Sequence, residues 1–192
     1  MPKLIVGLGN PGSNYSKTRH NVAWMVLDRL TSTHNLVWKD KFKGTYTELN
    51  ANGEKFFFLK PKTFMNLSGE SVVELAQFYK IPTTDILVIH DDMDTSFGTV
   101  TFKSGGGAAG HNGIKSIIEK TGTQEFKRLR IGIDRPTNGM TASSYVLACF
   151  TSDEEKWLDT LLNLASDAIN CYIKENFEKA SSLYSRKTVL PL

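Results

Sequence analysis

Apolar residues fall in short blocks separated by clusters of Gly, Pro, Asn and Asp, and the period inside each block sorts it into strand or helix. Lys3-Leu4-Ile5-Val6-Gly7-Leu8-Gly9 is an unbroken apolar run ended by glycines, the pattern of a buried strand. The loop Asn10-Pro11-Gly12-Ser13-Asn14 follows it. Over Asn21–Leu30, the residues Val22, Met25, Val26 and Leu30 recur at helical spacing and predict an amphipathic helix. Thr45–Leu49 and Lys55–Leu59 flank Asn50-Ala51-Asn52-Gly53 and predict a hairpin. Ser68–Tyr79 places Val72, Leu75, Ala76 and Tyr79 on one helical face, and Pro82 stops it. Ile86–Ile89 reads as a second buried strand that runs into His90-Asp91-Asp92-Met93-Asp94.

The second half continues the alternation. Thr99–Lys103 predicts a strand, and Gly105–Gly110 is a flexible segment opening a helix near Asn112–Lys120. In Arg128–Ile133 basic and apolar residues alternate, so Arg128 and Arg130 face away from Leu129 and Ile131. Residues 136–143, rich in Pro, Thr, Asn and Gly, predict a mobile loop. Asp153–Phe177 is the clearest helix, with Trp157, Leu161, Leu164, Ala168 and Tyr172 at three- and four-residue steps. The polar tail after Lys179 is expected to fray. With no repeat and no linker-like break, the pattern predicts one α/β domain over residues 1–192, a mixed, mostly parallel central sheet flanked by helices.

Composition narrows the class. The 192 residues are 40% hydrophobic with 11 Phe, 6 Tyr and 3 Trp, ample for a core, which excludes disorder as the main description. No apolar stretch reaches 18 residues, so no membrane-spanning helix is expected, and the opening Met1-Pro2-Lys3-Leu4-Ile5-Val6-Gly7 is too short an apolar run for a signal peptide. Cys149 and Cys171 lack metal-ligand spacing and are expected to be reduced, buried thiols of a cytoplasmic protein. The net charge of +3 says little, but its distribution says more. Lys103–Arg135 carries seven cations against three anions, leaving −1 for the rest of the chain. Such a local field suits a polyanion, although a solvated charged face gives the same pattern.

Several motifs suggest chemistry. Gly7-Leu8-Gly9-Asn10-Pro11-Gly12 fits G-x-G-x-x-G after a strand, yet Pro11 removes an amide that a pyrophosphate would need, and no acidic strand end follows at the right distance. The glycines instead suit a sharp turn that presents Asn10 at a cleft. Among the histidines, His34 reads as surface and His90 as structural, whereas His111, at a helix start, suits either hydrogen bonding or phosphate contact. His20 precedes the first helix, where the local dipole disfavours protonation and keeps the imidazole available as a base. Asp91, Asp92 and Asp94 hint at a divalent metal, but neighbours on a strand point to opposite faces. A single Asp at the carboxyl end of a central strand is well placed to orient an imidazole. Asn10, Asn66 and Asn112 each lie at a junction of element and loop, a position that caps and turns also favour. There is no Walker loop and no G-x-S-x-G turn.

Taken together, Val6-Gly7-Leu8-Gly9-Asn10-Pro11-Gly12, Thr18-Arg19-His20-Asn21, Phe64-Met65-Asn66-Leu67-Ser68-Gly69, His90-Asp91-Asp92-Met93-Asp94, Gly110-His111-Asn112-Gly113 and Arg128-Leu129-Arg130-Ile131-Gly132-Ile133 closely resemble the bacterial-type peptidyl-tRNA hydrolase family, in order and spacing. The resemblance spans residues 3 to about 175. It implies hydrolysis of the ester joining a peptide to the 3′ ribose of tRNA, with no cofactor or metal. It implies that His20 is the general base, that Asp91 holds it, and that Asn10 helps to discriminate N-blocked from free aminoacyl-tRNA. Tyr15, Phe64, Asn66 and Asn112 match positions that contact the acceptor end, and Lys103 and Arg130 match positions that meet tRNA phosphate. The chain departs from the family at Ala108-Ala109, where many members carry more Gly or a His, and in the loop 136–143. The expectation is a cytoplasmic monomer with peptidyl-tRNA as its partner, no membrane association and no obligate protein partner. Two rivals remain at this point: a metal-dependent phosphohydrolase using Asp91, Asp92 and Asp94, and a non-catalytic RNA-binding module.

Overall fold

The computed structural model describes residues 1–191. Eight strands form one mixed sheet: β1 (Lys3–Gly7), β2 (Lys39–Lys41), β3 (Gly44–Ala51), β4 (Glu54–Pro61), β5 (Ile86–Asp92), β6 (Thr99–Ser104), β7 (Lys127–Gly132) and β8 (Lys187–Thr188). Their order is β2-β3-β4-β1-β5-β7-β6-β8. The central strands β4, β1, β5 and β7 pair in parallel, and both flanks are antiparallel. Helices α1 (Val22–Thr33) and α5 (Ser152–Lys174) cover one face, and α2 (Ser68–Phe78) and α3 (Asn112–Thr121) cover the other.

Cover on both faces explains the unbroken apolar runs of β1 and β5. Ile5, Leu87, Ile89, Leu129 and Ile131 pack toward α1 and α5, while Leu4, Val6 and Val88 pack toward α2 and α3. Each such fully buried side chain contributes roughly 1.5–3 kcal/mol of transfer free energy. Helices α2 and α3 cross closely because Gly69 has no side chain: a Cβ there would lie 2.2 Å from Ser116 O, and Gly69 N donates to Ser116 Oγ at 2.9 Å.

Four expectations need correction. The hairpin carries an extra edge strand, β2, whose three residues are all exposed and so lack a hydrophobic signature. The long helix ends at Lys174, and the polar tail folds back as α6 (Phe177–Tyr184) and β8 instead of fraying. Asn176 caps α6 by accepting from Lys179 N at 2.8 Å, Ala180 is fully buried, and Phe177 meets Phe102 edge-on at 5.6 Å. The loop expected over 136–143 gives way at its end to a short helix, α4 (Ala142–Val146), capped by Thr141. Cys149 is exposed and Cys171 half-buried, so neither thiol lies in the core. Among the described residues, no helix is long and apolar enough to cross a membrane.

Candidate active site

Parallel strands β1 and β5 end side by side, and the crevice beyond their carboxyl ends is where open α/β sheets place ligands. A cavity of about 520 Å³ opens there. Asn10, His20, Phe64, Asn66, Asp91, Lys103, Asn112 and Arg130 all line it, so eight of the nine residues singled out from sequence converge. Tyr15 stands outside the lining but packs edge-on against Phe64, with ring centroids 6.3 Å apart. The glycines of the dinucleotide-like motif serve packing: a Cβ on Gly7 would collide with Leu27 and one on Gly9 with the Trp24 ring, so both let α1 close onto β1.

The centre of the site is one carboxylate between two imidazoles. His20 lies in a one-turn 3-10 helix, Arg19–Asn21, that feeds α1, and its Nδ1 is 2.8 Å from Asp91 Oδ2. His111 Nε2 is 2.8 Å from Asp91 Oδ1. The His111 tautomer is fixed from its other side, because Nδ1 caps α3 by accepting from Gly113 N at 3.1 Å and Ile114 N at 3.3 Å. Nδ1 therefore bears a lone pair, and Nε2–H donates to Asp91. Burial alone would raise the Asp91 carboxyl, but the charges and hydrogen bonds of His20 and His111 hold it far below the usual carboxylate range. An ionised Asp91 can only accept, so His20 donates from Nδ1 and keeps a lone pair on Nε2. Burial pulls the His20 pKa down, yet the charge and hydrogen bond of Asp91 outweigh it and leave it above 6.5. His90 is different: its Nδ1–H donates to Asp91 O at 2.8 Å, and burial together with the field of His111 holds its pKa near 3, so it stays neutral.

The asparagines divide the remaining work. Asn21 clamps the Asn10 backbone on both sides, with Oδ1 accepting from Asn10 N and Nδ2 donating to Asn10 O, each at 2.9 Å. Asn10 Oδ1 accepts from Met65 N at 2.7 Å, which occupies one of its two lone pairs and fixes which way the amide points. Phe64, just before Met65, holds φ 62° and ψ 157°, a region that costs a non-glycine residue roughly 1–3 kcal/mol. The strain presents its ring, exposed, at the cavity mouth. Asn66 and Asn112 are exposed on the rim.

The three cations on this face of the sheet are not equivalent. Arg128 is buried, and its guanidinium donates to Gly107 O at 2.6 Å and to Gly106 O, so its donors hold the glycine-rich loop. Arg130 is half-buried with Asp92 Oδ2 3.6 Å from its NH1. Lys103 folds over the loop, where a Cβ on Gly106 would lie 2.7 Å from its Nζ.

Asp91, Asp92 and Asp94 do not converge as the metal reading requires. Asp92 accepts from Thr95 Oγ1 at 2.6 Å and Asp94 N at 3.0 Å, and Asp94 pairs with Arg135. The one metal-capable trio among the described residues is His20, Asp91 and His111. Both Asp91 oxygens are there in direct hydrogen bonds, and His111 Nε2 carries its hydrogen, so the trio is built as a proton-ordering network and fits a cation poorly.

Sequence reasoning left His111 between two roles and passed over Asn21 and Arg128. The helix-start position of His111 was visible, but its reach to Asp91 depends on how α3 docks on the sheet.

A family model described as peptidyl-tRNA hydrolase matches residues 4–190. A peptidyl-tRNA hydrolase of Desulfitobacterium hafniense (strain Y51) is 50% identical over 184 residues, covering 96% of this chain and all of that protein. One of Geobacter sp. (strain M21) is 46% identical, with 96% of this chain and 98% of that protein covered. The crystal structure of peptidyl-tRNA hydrolase from Acinetobacter baumannii superimposes with a TM-score of 0.89 at 35% identity, over 96% of this chain and 95% of that one. The chain belongs to the peptidyl-tRNA hydrolase family.

Proposed function

We propose that this chain hydrolyses the ester between a peptide and the 3′ ribose of tRNA, with His20 as general base. The observation that carries the reading is the buried 2.8 Å hydrogen bond from His20 Nδ1 to Asp91, which turns the Nε2 lone pair toward the cavity. Nε2 takes a proton from water, and the hydroxide formed attacks the ester carbonyl carbon. The tetrahedral intermediate expels the ribose 3′ oxygen, which takes the proton back from the imidazolium. An ester is activated enough for this without a covalent intermediate, and general-base assistance contributes typically 10²–10⁴-fold, roughly. Asp91 fixes the tautomer and stabilises the imidazolium as it forms.

In this reading the amide groups of Asn10, Asn66 and Asn112, which line the cavity, serve the bound ester and the acceptor end. With its oxygen turned to Met65 N, Asn10 directs its N–H groups elsewhere and suits the carbonyl of a peptide bond better than the ammonium of a free aminoacyl ester. Phe64, braced by Tyr15, is a stacking platform for the terminal base, and Lys103 and Arg130 meet phosphate without reading sequence. The same reading takes the protein as a cytoplasmic monomer acting on peptidyl-tRNA. The test is to incubate N-acetylated and free aminoacyl-tRNA with the protein, with and without chelator. Cleavage of the N-blocked ester alone, unaffected by chelator, is expected. Loss of activity in chelator would restore the metal reading, and binding without cleavage would leave an RNA-binding module.

A further inference from the structure

Arg19 adjoins His20 but points away from the reaction. Its buried guanidinium donates from NH1 to Tyr145 O at 3.1 Å and from NH2 to Glu154 Oε1 at 2.6 Å, and it lies 4.1 Å over the Tyr145 ring. Its backbone N donates to Ala148 O at 3.0 Å, and Thr18 bridges Cys149. Every one of these contacts ends on the segment 141–154. That segment includes α4, and Ala142, Ser143, Val146 and Leu147 form one wall of the cavity.

On its own α4 has little to hold it. Five residues are too few for a self-supporting helix, and Tyr145 is the only one of the five that is buried. Tyr145 is secured at its hydroxyl, which donates to Ile133 O, and at its carbonyl and ring face by Arg19. Glu154 closes the arrangement, because the oxygen that receives Arg19 also accepts from Thr151 N at 2.9 Å in the capping box of α5. One guanidinium thus joins the turn before α1, the wall helix and the start of α5. The His20 ring is held from elsewhere, by Asp91 on β5.

We propose that Arg19 is a positioning residue that keeps α4 docked as a wall of the substrate cavity, so that substrate affinity depends on it while the chemistry at His20 does not. The proposal rests on reading the cavity as the peptidyl-tRNA site. Undocking leaves only a fraction of molecules competent to bind, and apparent affinity falls by that fraction.

The test compares Arg19→Met, Arg19→Lys and Glu154→Gln with the unaltered protein. Glutamine retains an oxygen for the α5 cap and for Arg19 but removes the charge, so Glu154→Gln remains informative if Arg19→Met fails to fold. Steady-state cleavage of N-acetylaminoacyl-tRNA and amide hydrogen exchange are both read. If α4 is docked one time in ten in Arg19→Met, KM rises about tenfold with kcat and the acid limb of the pH profile unmoved. Exchange then quickens within 141–148 and not in β5, and the two milder variants fall between. Unchanged KM and unchanged exchange in all three would overturn the proposal. So would a fall in kcat with a shifted acid limb, which would place Arg19 behind His20, or exchange that quickens throughout the sheet. Failure of the unaltered protein to cleave the ester would refute the proposed function instead, and the exchange measurement would still decide the role of Arg19.

Discussion

Replacing Asp91 by Asn tests the tautomer argument more sharply than deleting the base, because the substitution keeps shape and removes one acceptor. Asp91 accepts from His20 Nδ1 through one oxygen and from His111 Nε2 through the other, each at 2.8 Å. Asparagine has a single oxygen. His111 has first claim on it, since the amides of Gly113 and Ile114 occupy Nδ1 and require the hydrogen on Nε2. The asparagine NH₂ then faces His20 Nδ1, which must accept, and the hydrogen moves to Nε2, where the base needs a lone pair. The corresponding change in a serine protease triad costs about 10⁴ in kcat, or roughly 5 kcal/mol of barrier. Single-turnover cleavage of N-acetylaminoacyl-tRNA should therefore fall by about 10³–10⁴ in Asp91→Asn, with substrate binding retained. Residual activity should show an acid limb at lower pH, since the charge that raised the His20 pKa is gone. Removing the competitor should partly reverse the loss: His111→Ala frees the asparagine oxygen for His20, so the double variant should lose less than the two single losses combined. Turnover in Asp91→Asn within tenfold of the unaltered protein, or strict additivity with His111→Ala, would refute the tautomer account.

Three further outcomes follow from the same geometry. Lys103→Ala and Arg130→Ala should weaken tRNA binding and each reduce the slope of log affinity against log salt by about one, and an unchanged slope would leave them as ordinary surface charges. Phe64→Gly should raise stability by about 1 kcal/mol in denaturant titration, because glycine adopts its positive φ freely, whereas Phe64→Ala should not. Both should weaken binding of the acceptor end by roughly 1–3 kcal/mol. His90, neutral in the fold down to about pH 3, refuses a proton that the unfolded chain takes up below 6.5, so it lowers stability as pH falls through that window. Its share reaches at most about 5 kcal/mol, and His90→Gln should flatten the fall in a pH series of urea melts. His20 opposes this trend: its raised pKa adds stability below pH 6.5 that is lost as pH rises through the folded value.

The sequence showed most of the sheet because buried strands such as Ile86–Ile89 and amphipathic helices such as Ser68–Phe78 have strong local periods. It missed elements whose stability is tertiary. Strand β2 exposes all three residues, and α6 and β8 read as a polar tail until Phe177 and Ala180 find β6 and α5 to pack against. Strand alternation separated Asp91 from Asp92, and the structure sends them to different partners. The same alternation treated Arg128 and Arg130 alike, although the loop carbonyls of Gly106 and Gly107 bury only the first. The link from His111 to Asp91 depends on the docking of α3 and has no local signature.

The central claim, that His20 is the base, is tested most directly by measuring turnover and substrate affinity on one preparation of His20→Ala. The account predicts that kcat falls by about 10²–10⁴ while binding of N-acetylaminoacyl-tRNA stays within a few-fold. Turnover close to that of the unaltered protein would contradict it and remove His20 from the mechanism.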